Sequence, residues 1–218
     1  MFSVLLGSTT CKSTLGHYTK EVVVRLEKKG EQLELQAASL SLQLQRGDAE
    51  LVAAVGEEVR EEVLRVLGGS LFTGSVSDRP DCRAYVFLED TRVMSGSVVC
   101  PEVVWVLEEG SEEGKVRLHR RAQGLEGRGV RARAQEERAC RLFIHTDPFM
   151  WRHLAGRHRE PRKAAVRMMV DHVLAANQLY GQTSFQRGED SASLSVGFQL
   201  TGWRVDDDSK CKVADQVG

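Results

Sequence analysis

No run in the 218 residues approaches the roughly eighteen consecutive apolar residues that cross a bilayer as a helix. The opening residues, MFSVLLGSTTC, are short and lack the charged n-region of a secretory signal. Either the chain is cytosolic or its true N-terminus lies upstream. There is no C-x-x-C pair among the five cysteines, Cys11, Cys82, Cys100, Cys140 and Cys211, which argues against a zinc knuckle or a thioredoxin-type dithiol. An odd number leaves at least one thiol unpaired, or paired with a residue outside this chain. Net charge is nearly absent, −1 from 30 basic and 31 acidic residues, so there is no global drive toward nucleic acid or anionic lipid. Aromatics are only 6 %, so the core must rest on Val, Leu and Ala.

What is present is ordinary in bulk, with 41 % hydrophobic and 28 % charged residues, as expected of a globular protein. The length accommodates one full domain plus part of another, or two small ones. Charge is unevenly placed: residues 115–167 are rich in Arg, while 47–62 and 102–113 lean acidic. Residues 18–46 alternate loosely, with Val22, Val24 and Leu26 in one run and Leu33 to Leu44 in another, predicting a hairpin or two strands about Lys28-Lys29-Gly30. Residues 49–67 place Val52, Val55, Val59, Val63 and Val66 at helical steps, ending at Gly68-Gly69. Three β candidates follow at 71–77, 82–89 and 96–109, separated by the turn-like pieces Asp78–Asp81 and Glu89–Thr91.

From Gly110 the apolar pattern dissolves into Gly, Arg and Glu, and order resumes at Cys140. The expected organisation is a β-rich unit over 1–109, an exposed basic linker over 110–139, and a second unit over 140–218. In that second unit RLFIHT (141–146) reads as a strand ended by Asp147-Pro148. From about Arg162, the residues Val166, Met169, Val170, Val173, Ala176, Leu179 and Tyr180 form one apolar stripe, with Arg162, Lys163, Arg167, Asp171 and Gln178 on the other side. Leu194, Val196, Phe198 and Leu200 then alternate as a strand. A crossover of this length predicts parallel pairing with a right-handed connection.

C-x-L-x-I-x-T-D at Cys140–Asp147 is followed by an aromatic-rich turn (Phe149, Trp151). Together with D-H-V-x-x-x-N-x-x-Y-x-x-T-S-F at Asp171–Phe185 and F-x-L-x-x-W-R-V-D-D-D-S at Phe198–Ser209, it resembles the start of the catalytic domain of ADAM-type zinc metalloproteases. The subgroup it resembles holds kuzbanian and the tumour-necrosis-factor-converting enzyme. More weakly, 40–53 and 71–90 resemble the prodomain of those proteins. The resemblance implies an α+β fold: a β-rich prodomain-like unit followed by an incomplete strand–helix–strand start of a metzincin-type catalytic domain. It implies an N-terminal fragment of a membrane-anchored endopeptidase of the secretory pathway and plasma membrane, which in full length sheds cell-surface proteins with Zn²⁺. The implied partners are those substrates, the remainder of the catalytic domain, and a proprotein convertase. The convertase would cut the linker at an R-x-x-R site: Arg128 to Arg131 fits, with Arg117, Arg120 and Arg121 as a second candidate. A protease needs exposed extended backbone, which a core-poor Gly/Arg stretch supplies.

The zinc motif of that family, H-E-x-x-H-x-x-G-x-x-H, sets two His one helical turn apart with a Glu base between them. It is absent here. His153 and His158 have the wrong spacing for two ligands on one helix face and lack a following Glu. The chain by itself is therefore expected to bind no zinc and to carry no catalytic or metal-ligating residue. Cys100 is a weak candidate for the prodomain cysteine that coordinates zinc in latent family members; a Cys82–Cys100 disulfide is the favoured reading. Cys140 matches the first cysteine of the family's catalytic domain. Two other readings stand beside the fragment: a catalytically inactive prodomain-like inhibitory or decoy binding module, and a small intracellular α+β protein.

Overall fold

The computed structural model describes residues 18–122, 136–181 and 194–205. Eight strands close into an antiparallel barrel in sequence order: β1 (Tyr18–Lys29), β2 (Gln32–Ala37), β3 (Leu40–Arg46), β4 (Leu71–Val76), β5 (Arg79–Glu89), β6 (Arg92–Val99), β7 (Val103–Glu109) and β8 (Lys115–Ala122). Closure comes from β8 pairing antiparallel with β1, in register from Tyr18↔Arg120 to Val23↔Lys115. Tight turns set the registers. Gly30, with φ +65, lies in the two-residue link of the Lys29↔Gln32 pair. Asp90 and Thr91, both with positive φ, occupy the link of the Glu89↔Arg92 pair, the geometry of a type I′ turn.

This barrel corrects the expected α+β arrangement of a β-rich unit followed by an incomplete metzincin-type start. The 18–46 segment holds three strands, because Ala38-Ser39 makes a second turn. The 96–109 segment holds parts of two, because Cys100-Pro101-Glu102 interrupts it. Most consequential is Lys115–Ala122, inside the stretch expected to be linker. A barrel strand needs only one apolar face, and Val116 and Leu118 supply it here. Between β8 and the next described residues, 123–135 lie outside the described residues.

β5 separates two cores. Its alternation sends Ala84, Val86 and Leu88 into the barrel, which is filled by buried Leu35, Leu42, Leu44, Val98 and Leu107 among others. The same alternation sends Tyr85 and Phe87 outward, into a second core beneath the helices. A strand buried on both faces reads as a continuous apolar run, as Ala84–Leu88 does. Burying Phe87 fully is worth about 1.5–3 kcal/mol relative to exposure.

The helices of the second core come from two places. The 49–67 segment is not one helix but two, α1 (Asp48–Ala54) and α2 (Glu57–Leu67), inserted between β3 and β4. At the break, Val55 bridges Leu200 and the Gly56 amide donates to the Leu200 carbonyl at 2.9 Å. A Cβ on Gly56 would sit 2.8 Å from Thr201 Cγ2. The remaining elements are β9 (Glu136–Thr146), α3 (Pro148–Ala155), α4 (Pro161–Gly181) and β10 (Leu194–Val205). β9 and β10 pair in parallel, as the crossover length predicts, from Leu194↔Glu136 to Val205↔Thr146. Asn177 ties α4 to β10: its Oδ1 accepts from the Phe198 amide at 2.6 Å and its Nδ2 donates to the Phe198 carbonyl at 2.9 Å. Among the described residues, no helix is long and apolar enough to cross a membrane.

Candidate functional site

Pairing across β6, β7 and β8 sets Ser95–Glu108–Arg117 and Ser97–Val106–His119 in rows on the outer barrel wall. Helix α4 runs over this wall, because its Ala164, Ala165, Val166, Val170 and Val173 need burial and the wall supplies part of the cover. Helix α3 closes one end. Asp147 caps it by accepting from the Met150 amide at 2.7 Å, and Pro148 sits in the first turn. Between wall and helices lies a half-open cleft of about 1060 Å³. Its apolar lining comes from Val104, Val106, Phe149, Leu154, Met168 and Leu179.

Polar groups cluster on its α4 side. The buried Asp171 accepts from the Ser97 hydroxyl at 2.8 Å. Loss of hydration pushes its carboxyl up to about 6, against the opposing pull of the Ser97 bond and of nearby His172 and Arg167. One turn earlier, the buried Arg167 donates to Glu89 Oε1 at 3.0 Å, and Lys163 meets the same oxygen at 3.0 Å. Burial lowers the affinity of Arg167 for its proton, though a guanidinium stays charged. His158 lies 3.5 Å from Glu109, with its pKa lowered first by burial and then by Arg167. The Tyr85 hydroxyl reaches Gln178 at 3.5 Å, and burial raises the phenol's pKa. Ser95 Oγ, a buried polar atom of the lining, has no hydrogen-bond partner among the described residues, and His158 Nδ1 has only its 3.5 Å contact with Glu109 Oε2.

The residues singled out from sequence fall elsewhere. Arg128 and Arg131 lie outside the described residues. The second processing candidate lies on a barrel strand: Arg117, Arg120 and Arg121 belong to β8, where Arg117 and Arg120 pair with both β1 and β7 and Arg121 pairs with Val104 of β7. The Arg117 guanidinium also donates to the Glu109 carbonyl at 3.1 Å. Cys82 and Cys100 form a disulfide with Cα atoms 4.3 Å apart, both fully buried at one end of the barrel interior. A bonded Cys100 has no thiolate to offer a metal. Cys140 is an exposed free thiol on β9, while Cys11 and Cys211 lie outside the described residues. Among the described residues, no three His, Cys, Asp or Glu side chains converge as a metal-ligand set.

Sequence reasoning missed the Ser97–Asp171 and Glu89–Arg167 contacts. It placed Arg167 and Asp171 on the side of the helix away from the apolar stripe, whereas both are buried. The available signal was their i, i+4 spacing beside Ala164 and Ala175, small residues that let a helix approach a sheet closely. Fold and cleft together define an eight-stranded antiparallel barrel with a strand–helix–strand unit docked on its wall. No protein-family model matches the chain, and no curated protein matches it either.

Proposed function

We propose that the chain is a non-catalytic holding region of an ADAM-type zinc metalloendopeptidase, whose full-length activity is release of cell-surface ectodomains. One observation carries the reading. The D-H-V-x-x-x-N run on α4, part of the resemblance, is fastened to the barrel by the Asp171–Ser97 bond, with Arg167–Glu89 one turn away. In this role the barrel restrains the strand–helix–strand unit, and a proprotein convertase cuts between them after Arg131. The Cys82–Cys100 disulfide suits an oxidising secretory compartment and the plasma membrane beyond it. Zinc and its ligands belong to the remainder of the catalytic domain, and no hydrolytic step is assigned to residues of this chain.

The test is inhibition. Added to an active ADAM-type peptidase cleaving a fluorogenic stalk peptide, the chain should lower the rate in a dose-dependent way. In parallel, furin should generate a new N-terminus at Ala132, read by Edman sequencing. An unchanged peptidase rate at a large excess of the chain would sink the holding role, and an intact linker would sink the convertase step. A second reading, a catalytically inactive inhibitory or decoy binding module acting alone, is favoured by the cleft, whose lining comes wholly from this chain. Finding H-E-x-x-H in the same reading frame downstream decides for the first reading, and a stop codon after Gly218 for the second.

A further inference from the structure

Between Pro148 and Lys163 the chain carries four arginines and one lysine against a single carboxylate, Glu160. The fold sorts these groups by side. Those turned toward the barrel are matched there: Lys163 meets Glu89 Oε1 at 3.0 Å, and His158 lies 3.5 Å from Glu109. Glu160 is taken up by Lys163 as well, at 3.7 Å. Arg157, Arg159 and Arg162 are exposed and make no ion pair among the described residues. Turn bonds hold this stretch in place. The Arg157 and His158 amides both donate to the Leu154 carbonyl, at 3.1 and 2.9 Å, and the Ala164 amide donates to the Glu160 carbonyl at 3.0 Å. Arg157 and Arg162 are so close in sequence that their Cα atoms lie within about 18 Å, with Arg159 between them. We infer that the connection between α3 and α4 binds a sulfated polysaccharide, its sulfates meeting Arg157, Arg159 and Arg162.

The arrangement selects this class. Cations strung along a surface connection suit a linear polyanion, whose charges repeat along a chain and need no converging pocket. Guanidiniums grip such oxyanions through paired N–H donors, which an ammonium cannot match. The near-neutral total charge does not oppose this, because in salt an exposed charge acts over only about 10 Å. Nucleic acid and anionic lipid offer the same sign of charge. The Cys82–Cys100 disulfide suits an oxidising, extracellular setting, where sulfated polysaccharide is the abundant linear polyanion. That choice rests on the secretory part of the reading above; the arginine cluster itself does not.

Isothermal titration of the whole chain with a heparin decasaccharide tests it, at about 0.1 M NaCl. Desulfated heparin, an oligothymidylate of similar length and phosphatidylserine vesicles serve as the competing probes. Heparin should bind saturably and more tightly than all three. The Arg157→Gln/Arg159→Gln/Arg162→Gln variant should bind heparin about thirtyfold more weakly, roughly threefold per exposed ion pair. Its slope of log affinity against log salt should fall by about two, at about 0.7 per lost contact. Arg25→Gln/Arg65→Gln/Arg83→Gln removes the same charge from exposed positions elsewhere and should leave heparin affinity within about twofold. All six arginines are exposed, and unaltered circular dichroism of both variants checks the fold. Three results would each overturn the inference: no saturable heparin binding, equal weakening in the two arginine variants, or binding of any competing probe as tight as that of heparin. Peptidase inhibition is read in a separate assay, so either reading can fail alone.

Discussion

Replacing Asp171 by Asn should stabilise the protein at neutral pH, an unusual expectation for a buried hydrogen-bonded residue. Asn keeps an Oδ1 that can accept from the Ser97 hydroxyl, so the 2.8 Å contact survives the change. What disappears is a carboxylate that must ionise without water. Burial raises the carboxyl from 3.8 to about 6, and about two units correspond to about 3 kcal/mol. The folded state therefore holds this proton more tightly than the unfolded chain does. The stability due to the group is full below pH 3.8, falls as pH rises toward 6, and is lost above it. The variant should match wild type near pH 4 and exceed it by about 3 kcal/mol at pH 7.5, or roughly 6–12 °C in Tm. Urea unfolding at several pH values reads this directly, with m expected unchanged. The charged groups that face Asp171 are common to both proteins, so the comparison isolates the change at this one site. A variant less stable than wild type at pH 7.5, with the same pH slope, would refute the reasoning. It would mean that Arg167 and His172 hold Asp171 as a stable anion.

Two further expectations concern the joints of the fold. Removing the disulfide as Cys82→Ser/Cys100→Ser should cost about 3 kcal/mol, from a sequence separation of 18 and the loop-entropy relation; denaturant midpoints of oxidised and reduced wild type should differ likewise, and coincident midpoints would contradict it. Asn177→Ala removes both bonds to Phe198 and should cost about 2 kcal/mol, with amide exchange in β10 accelerating before that of the barrel strands; uniform exchange would show that Asn177 is not what fastens β10.

How far these features could be read beforehand depended on whether the cause was local. Alternation in 71–77 and 82–89, the helix at 162–180 and the parallel strand pair follow from nearest-neighbour patterns, and they appear as β4, β5, α4 and β9–β10. Helix α3 is also written locally, since Asp147-Pro148 is an N-cap followed by Pro at the first helical position, a signal that serves as helix start as well as strand end. Barrel closure was not local. The Thr19–His119 contact joins side chains 100 residues apart, and no window of sequence reveals it. With two inward apolar residues, β8 is a strand only because β1 and β7 lie on either side. The cleft is likewise a product of docking: Ser97 and Asp171 are unremarkable until α4 lies on the wall.

The insertion of α1 and α2 between β3 and β4 has a consequence for any cut in the span 123–135. Those helices are covalently part of the N-terminal piece, yet Val55 and Gly56 grip β10 of the C-terminal piece. Scission would leave two polypeptides still interlocked, a split protein able to reconstitute itself from its halves. Separation then becomes a second, slower event, governed by how readily β10 peels from Val55 and α4 lifts from Ser97. Chain cleavage and physical release are thus distinct observables: denaturing gels report the first, and size-exclusion chromatography under native conditions reports the second.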